Sequence, residues 1–396
     1  MSLPEDMVRE VLARVKDEGD LFTCARTCRR WSFLAADVRR RRWPDHTSSF
    51  LSGILIAKSS ARSLFPTPAS VFGRDRRLLR SFFHDAVGSL LKRATPLAAR
   101  HGLLLVRLPS SRALLQLAVC NLLVGTCDVL PPLEKCWRYH DSGYAIFTKA
   151  DCSSTGEQQP SSSSPRGYSA LFKVLVICGN RDHQPFTLHA FSYCEGTWNT
   201  PTETVFDPTK LGICGPLMHR NAVVCHGTAH WLVGWDLLCP SDSRLHTIDV
   251  DAKTSQVSLT KIVSPIRQNL HIYDEPQLSV SANGTLSLIY MERPGNNWQG
   301  FQLKICTRKD DERSEGDGPV TWLYSRVVEL KPTNQIQAER LHLTFLGEKG
   351  GTVVVRDNYM NFYVADLETG VMEKLKYHGH VSRQMFIPFE IYWPTF

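Results

Sequence analysis

The sequence predicts an α+β multidomain chain, with a small helical module at the amino end followed by a large all-β domain best housed in a β-propeller. Three observations carry this reading. Apolar residues recur with a helical period over residues 4–35, and from about residue 46 the pattern changes to short strands separated by Gly, Pro, Asn and Asp turns. The length, 396 residues, exceeds one typical single-core domain. The expected division is therefore 1–45 and 46–396.

The helical part begins at Leu3-Pro4-Glu5-Asp6. Proline in a first turn forfeits no helical hydrogen bond, and the two acids complement the positive end of the helix dipole. Met7, Val8, Val11, Leu12 and Val15 form one stripe, opposite Arg9, Glu10 and Arg14. Lys16-Asp17-Glu18-Gly19 is expected to end this helix and Asp20 to cap the next. In that second helix Leu21, Cys24, Ala25, Cys28, Trp31 and Ala35 lie on one face. The two cysteines thus stand where small buried hydrophobes belong. Two thiols four apart could also start a zinc site, but the next candidate ligand, His46, lies beyond the basic run.

Two or three short helices in roughly 40 residues bury too little apolar area to be very stable alone. Such a module commonly completes its core on a partner. The stretch LPEDMVREVLARVKDEGDLFTCARTCRRWSFLA resembles the F-box, through its initial Leu-Pro, its amphipathic first helix, and above all Thr27-Cys28-Arg29-Arg30-Trp31 with Leu34 beyond. It departs from the family pattern at Val15-Lys16, where Leu-Pro is frequent, and by about one residue in the Asp17–Gly19 loop. The resemblance implies binding to the Skp-type linker of a cullin–RING ubiquitin ligase. Leu3, Pro4, Val8, Val11 and Leu12 would contribute from the entry and first helix, and Leu21, Cys28, Trp31 and Leu34 from the later one. Some of these must instead hold the helices together, and the sequence does not divide them.

The net charge of +7 is local. Residues 1–100 hold 19 Lys or Arg against 10 Asp or Glu, and the remainder 27 against 29. Arg39-Arg40-Arg41-Arg42, followed by Trp43, reads as a nuclear-import signal, a phosphate-contact patch, or a solvated helix end. Arg74, Arg76, Arg77 and Arg80 add to the local charge. Nucleic-acid readers usually interleave more aromatics, so this partner is disfavoured.

Beyond the helices, segments such as SFLSGILIA (49–57), GLLLVRL (102–108), YAIFTKA (144–150), LFKVLVICG (171–179) and LSVSANGTLSLIYME (278–292) read as strands. AVVCHGTAHWLVGW…LHTIDVDAKTSQ and GTVVVRDNYMNFYVADLETGVM both run strand, turn, strand and an acidic hairpin turn. Repetition over roughly 350 residues suits six or seven blades at about 40–50 residues each. A large sandwich or stacked barrels is the alternative. The region from Gly143-Tyr144-Ala145 to Pro388-Phe389-Glu390-Ile391 also resembles, diffusely, the F-box-associated β domain expanded in grasses. Residues 151–167, DCSSTGEQQPSSSSPRG, and 309–318, KDDERSEGDG, read as exposed loops.

No P-loop, GxSxG, HExxH or GxGxxG occurs. Gly347-Glu348-Lys349-Gly350-Gly351 lacks the terminal Lys-Ser/Thr of a phosphate loop and reads as a hairpin turn, as does Asn283-Gly284-Thr285. Cys225, His226 and His230 of CHGTAH are the nearest thing to a metal cluster, on a hairpin that could set the two histidines across from each other. Trp198, Trp231, Trp235, Trp298, Trp322 and Trp393 could line a recognition face or stack between blades. No apolar run approaches the roughly 20 residues of a membrane helix, and twelve cysteines without paired CxxC spacing suggest reduced thiols in a soluble cytoplasmic or nuclear protein.

The expectation is thus a non-catalytic adaptor without cofactors. It would tether an unknown target near the ubiquitin-charged enzyme, through the Skp-type linker and cullin. The competing classes are a β-propeller glycan-processing enzyme and a nucleic-acid binder using the arginine run.

Overall fold

The computed structural model describes residues 3–25, 28–42, 51–57, 62–66, 94–110, 114–121, 126–134, 142–152, 171–178, 186–199, 202–203, 217–234, 245–263, 276–281, 284–292, 301–308, 320–332, 343–378 and 386–391. Three helices open the chain: α1 (Glu5–Arg14), α2 (Glu18–Ala25) and α3 (Arg29–Arg42). The single later helix expected around the two cysteines is in fact two, α2 and α3, packed on one another. One straight helix cannot fold its apolar residues together. The break lets Leu21, Phe22 and Ala25 share a core with Leu34, Ala35 and Val38. The cap also differs from expectation, because Asp17 Oδ1 accepts the backbone N–H of Asp20 at 3.0 Å. Asp20 instead lies in the first turn of α2.

Everything after the helices is β apart from one helical turn, Lys149–Cys152, among the described residues. First come β1 (Leu51–Ala57) and β2 (Arg62–Pro66). Then β3 (Thr95–Arg100), β4 (Leu103–Arg107), β5 (Leu114–Leu115), β6 (Leu117–Asn121), β7 (Thr126–Val129) and β8 (Leu133–Glu134) follow. Of these, β3-β4-β6-β7 form blade one, and β5 pairs with β8. Blade two is β9 (Ser142–Thr148), β10 (Phe172–Cys178), β11 (Thr187–Ser192), β12 (Thr197–Trp198) and β13 (Thr202–Glu203). Blade three is β14 (Val223–Cys225), β15 (Thr228–Val233), β16 (Leu245–Asp251) and β17 (Val257–Val263). Blade four is β18 (Gln277–Val280), β19 (Leu286–Glu292), β20 (Phe301–Arg308) and β21 (Val320–Pro332). Blade five is β22 (Leu343–Lys349), β23 (Thr352–Asp357), β24 (Asn361–Asp366) and β25 (Val371–His378). The last strand, β26 (Phe386–Ile391), returns to pair with β1, from Leu51↔Ile391 to Ile56↔Phe386, and completes blade six as β26-β1-β2.

The inner strands close a ring. β26 neighbours β3, then β9, β14, β18 and β22 follow, and β22 neighbours β26 again. The step from blade two to blade three is hydrogen-bonded: Tyr144 N–H donates to Arg220 O at 2.6 Å, and Ala222 N–H donates to Tyr144 O at 2.9 Å. Six apolar seams fill the spaces between successive blades. Leu105 and Leu117 meet Tyr144 and Phe191, Phe147 and Leu175 meet Trp231, and Leu232 meets Leu288 and Trp322. Leu303 and Val328 meet Phe345 and Val355, Ile54 meets Val354 and Phe362, and Phe389 meets Leu104 and Cys120. Such a ring is a β-propeller, with six blades among the described residues, and the outer strands of blades three, four and five also touch in parallel through β17–β21 and β21–β25. Burial on both faces explains why its strands read as continuous apolar runs rather than alternating ones. β9, for example, is buried from end to end.

The two acidic turns flagged in the sequence are the same turn, built twice between the third and fourth strands of blades three and five. Asp251 Oδ1 accepts from Lys253 N (2.9 Å), Thr254 N (2.7 Å) and Thr254 Oγ1 (2.9 Å). Asp366 Oδ1 does so from Glu368 N (2.9 Å), Thr369 N (2.8 Å) and Thr369 Oγ1 (3.0 Å). At the Gly347–Gly351 hairpin, Gly350 and Gly351 take φ of 57° and 76°, the left-handed region that suits glycine.

Gly143, opposite Ile177 in the β9–β10 ladder, leaves room for the indole of Trp231 from the next blade. A Cβ there would stand 2.5 Å from Trp231 Nε1 and 2.6 Å from Ile177 Cγ2. Gly143→Ala is therefore expected to lower stability by about 1–3 kcal/mol through overpacking, read as a reduced denaturation midpoint in urea.

Candidate functional site

The stripe of α1 is split between two faces. Val8 and Leu12 are buried in the chain's own core, whereas Met7 and Val11 are 53% and 50% exposed. Met7 and Val11 thus face outward together at i and i+4, and Leu3, in the extended segment just before α1, is 51% exposed as well. Arg30 of α3 donates to the carbonyl of Leu3 at 2.6 Å. One turn on from Arg30, Phe33 is 73% exposed, the most open large apolar side chain among the described residues. Pro4 and Cys28 are exposed, and Trp31 is half-buried against the core. Leu21 and Leu34 are sealed inside with Val8 and Leu12. The nine residues drawn from the resemblance therefore fall into an outer set of Leu3, Pro4, Val11 and Cys28, an inner set of Val8, Leu12, Leu21 and Leu34, and Trp31 between them.

Sequence reasoning assigned Met7 only to the helix stripe and did not single out Phe33. The available signal for Phe33 was an aromatic lying off its helix's apolar face, between Ser32 and Leu34.

The inner set shows how this short module is held. One apolar cluster contains Val8, Leu12, Leu21, Phe22, Leu34 and Val38 together with Leu55, Leu104, Val106, Cys120, Ile387 and Phe389 of blades six and one. The bundle thus completes its interior on its own β domain, and the outward-facing residues are not needed for that purpose.

The arginine run ties the helices to one another. Arg39, only 12% exposed at its side chain, is ion-paired with the buried Glu18 of α2. Arg41 pairs with Asp37 at 3.0 Å, and Arg9 of α1 approaches the same carboxylate at 3.6 Å. Arg42 donates to the carbonyls of Val15 and Ala13, which are left without helical partners where α1 ends. Trp43, Arg74, Arg76, Arg77 and Arg80 lie outside the described residues.

A second polar assembly sits where four blades meet. Arg100, at the end of β3, is held by Asp151 of the helical turn after β9, with Nη2 2.6 Å from Oδ1 and Nε 3.1 Å from the same atom. Arg100 Nη1 also lies 3.7 Å from Glu390 Oε1 on β26, and Glu390 is ion-paired with Lys349 of β22. His101 Nδ1 is 2.7 Å from Thr148 Oγ1 and 3.8 Å from Asp151. Burial would raise the Asp151 pKa, but the hydrogen bonds and charge of Arg100 and the Thr148 N–H overcome it and hold the carboxyl below its ordinary value. Glu390 is likewise depressed, burial being outweighed by Lys349 and then Arg100. Burial and the Arg100 charge push His101 down to about 4, against the pull of Asp151 and Glu390. Glu348 moves the other way: its burial raises it despite hydrogen bonds from Ser279 and the Gly351 N–H. Asp151 and Glu390 face cations from neighbouring blades, which makes this an interblade clamp. The exposed loop expected over 151–167 loses its first two residues to this helical turn, and the rest of it lies outside the described residues.

The CHGTAH hairpin departs from its expected geometry. The register sets His230 opposite Val223, and His226 falls in the turn with φ 47°, so the two histidines do not face each other. His230 Nδ1 is instead 2.8 Å from Asp249 Oδ1, whose other oxygen accepts from Thr260 at 2.7 Å. Cys225 Sγ donates to Gly284 O at 3.0 Å. Among the described residues no group of three or more His, Cys, Asp or Glu is placed to hold a metal ion. Trp231 and Trp322 are buried, while Trp198 packs edge-on to Phe191 and donates to Pro131 O at 2.8 Å. Trp235, Trp298 and Trp393 fall outside the described residues. Free thiols occur at Cys24, Cys28, Cys120, Cys127, Cys152, Cys194, Cys225 and Cys306, whereas Cys178 is disulfide-bonded and departs from the reduced-thiol expectation. No described helix is long and apolar enough to cross a membrane.

Residues 1–42 match the F-box-like family, so the module that carries the outward-facing residues is an F-box-like domain. No curated protein matches the chain. Among solved structures, the chain is similar to the β-propeller domain of Cps50 (Swd1) from Myceliophteria thermophila, at 9% identity and a TM-score of 0.34, covering 73% of this chain and 88% of that one. It is also similar to the uncharacterized protein lmo1340 from Listeria monocytogenes EGD-e, at 8% identity and a TM-score of 0.33, covering 72% and 82%. A third is the β-propeller domain of the Trilobed protease from Pyrococcus furiosus, at 9% identity and a TM-score of 0.30, covering 74% and 83%. These likenesses are slight and add nothing to the ring traced by the strand pairings.

Proposed function

We propose that this chain is the target-recognition subunit of a Skp–cullin–F-box ubiquitin ligase, bringing no catalytic group of its own. The supporting observation is that Leu3, Met7, Val11 and Phe33 are large, apolar and open to solvent on an F-box-like domain whose Val8, Leu12, Leu21, Phe22, Leu34 and Val38 are already buried. Burying each such side chain on a Skp-type linker is worth roughly 1.5–3 kcal/mol, so three or four suffice for a stable complex. The β-propeller then holds a target protein near the ubiquitin-charged enzyme, and proximity supplies the rate. Cytoplasm and nucleus both suit this role. The nucleic-acid alternative is weakened by Arg39, whose side chain is taken up by the buried Glu18, and by Arg42, whose donors are occupied by the carbonyls that end α1.

The test is a pair of charges on the outward face of α1. Met7→Glu with Val11→Glu is expected to leave the denaturation midpoint unchanged, because both positions are solvent-facing. The same variant is expected to weaken binding to a Skp-type linker about 30-fold or more, measured by calorimetry or co-purification with linker and cullin. Undiminished affinity in a folded double variant would remove this face as the contact.

A further inference from the structure

The β6–β7 hairpin of blade one carries two thiols that the adaptor role does not use. Cys120 and Cys127 are directly opposed across the ladder, and the Cys120 thiol donates toward Cys127 Sγ at 3.2 Å. Directly paired positions of an antiparallel ladder bring Cα atoms to about 4.5–5.5 Å, within the span a disulfide bridges. Their sulfurs need approach only to about 2.05 Å, a side-chain adjustment with no change of register. The two differ in access: Cys120 is fully buried, whereas Cys127 is partly open. The hydrogen bond from Cys120 lowers the Cys127 pKa, against its own burial and the neighbouring Asp128 charge. Cys127 is thus the thiol that a small oxidant can reach and the one that ionises first. Both belong to the apolar cluster that seats α1–α3 on blades six and one, Cys120 within it and Cys127 packed against it.

We propose that Cys120 and Cys127 are a peroxide-responsive dithiol that closes to a reversible disulfide beneath the helical module. Cys127 thiolate attacks one oxygen of hydrogen peroxide and the O–O bond breaks. The departing hydroxide takes up a proton as water, leaving Cys127 as a sulfenic acid. The Cys120 sulfur then attacks the Cys127 sulfur, the S–O bond breaks, and hydroxide leaves with the Cys120 proton as a second water. Two thiols and one peroxide give one disulfide and two waters, the sulfurs losing the two electrons that the peroxide gains. The bond pins β7 to β6 and stiffens the floor on which the helices rest. In a reducing compartment such bonds are characteristically transient.

Peptide mapping tests this on the folded full-length chain. Trypsin cuts after Arg112 and Lys135, releasing a peptide, 113–135, that contains Cys120 and Cys127 and no other cysteine. After stoichiometric peroxide and alkylation in denaturant, this peptide is expected to appear unalkylated and lighter by two hydrogen atoms, before exposed Cys28 and Cys194 are modified. Dithiothreitol is expected to restore double alkylation. In Cys120→Ser, where the second step is blocked, Cys127 is expected to be trapped by dimedone as the sulfenic acid. A doubly alkylated 113–135 peptide after Cys28 and Cys194 have reacted would overturn the proposal. So would a Cys120→Ser variant in which Cys127 is no more dimedone-reactive than Cys194. Neither outcome bears on linker binding, which the Met7 and Val11 variant tests separately.

Discussion

Replacing Arg100 by methionine is expected to lower the unfolding free energy by about 3–5 kcal/mol near neutral pH, the range for removing one partner from a buried ion pair. The loss arises less from a missing attraction than from what stays behind: Asp151 and Glu390, whose side chains are 4% and 7% exposed, would keep their charges with little water to solvate them. The pH dependence has a definite sign. In the parent chain Asp151 and Glu390 have depressed pKa values when folded. Their stabilising contribution is therefore present above the ordinary carboxylate range and lost as the solution is acidified through it. His101, held at about 4 when folded, binds its proton less readily than in the unfolded chain, so it too favours the fold above about 6.5 and ceases to do so as pH falls toward 4. Without Arg100, both carboxyls would take up protons more readily. The gap between variant and parent should then be widest near pH 7 and narrow toward pH 4, as followed by urea denaturation across that range. A gap that is small at pH 7 or independent of pH would show that the clamp does not hold the blades together.

Leu12→Ala is expected to cost about 2–5 kcal/mol, the range for truncating a buried leucine. Leu12 is fully buried in the cluster that joins α1 to blades six and one, so the cavity would open at the junction rather than on the partner-facing side. Its effect on linker binding should track only the fraction of chain unfolded. At a temperature where the variant is folded, affinity should approach the parent's, whereas the Met7 and Val11 double variant should be stable and non-binding. Calorimetric binding together with a melting curve separates the two. A folded Leu12→Ala chain with binding as weak as the double variant would place Leu12 in the interface.

Much of this architecture is legible in the residues. The change from helical period to short strands marks the division, and the Asp251 and Asp366 turns betray the repeat because one carboxylate capping two N–H groups and a threonine hydroxyl demands that local order. The two faces of α1 are not legible, because Met7 and Val8, or Val11 and Leu12, are equally apolar and only the position of α3 and blade one decides which side is sealed. The clamp is hidden for a similar reason. Arg100, Asp151, Lys349 and Glu390 are far apart in sequence, each an ordinary surface-type residue until ring closure brings them together. The capping aspartate is not legible either, because Asp17 and Asp20 are both good caps and only the fold shows that Asp17 takes the N–H of Asp20.

The placement of β26 has a consequence for biosynthesis. Strands β1 and β2 leave the ribosome early yet lack their inner neighbour until Phe386–Ile391 have been made, and the floor beneath the helices lacks Ile387 and Phe389 for just as long. A nascent chain must therefore carry open strand edges and a half-covered helical module until β26 has been made, a state that invites chaperones. Termination before β26 would release a product lacking both the inner strand of blade six and part of the floor beneath the helices.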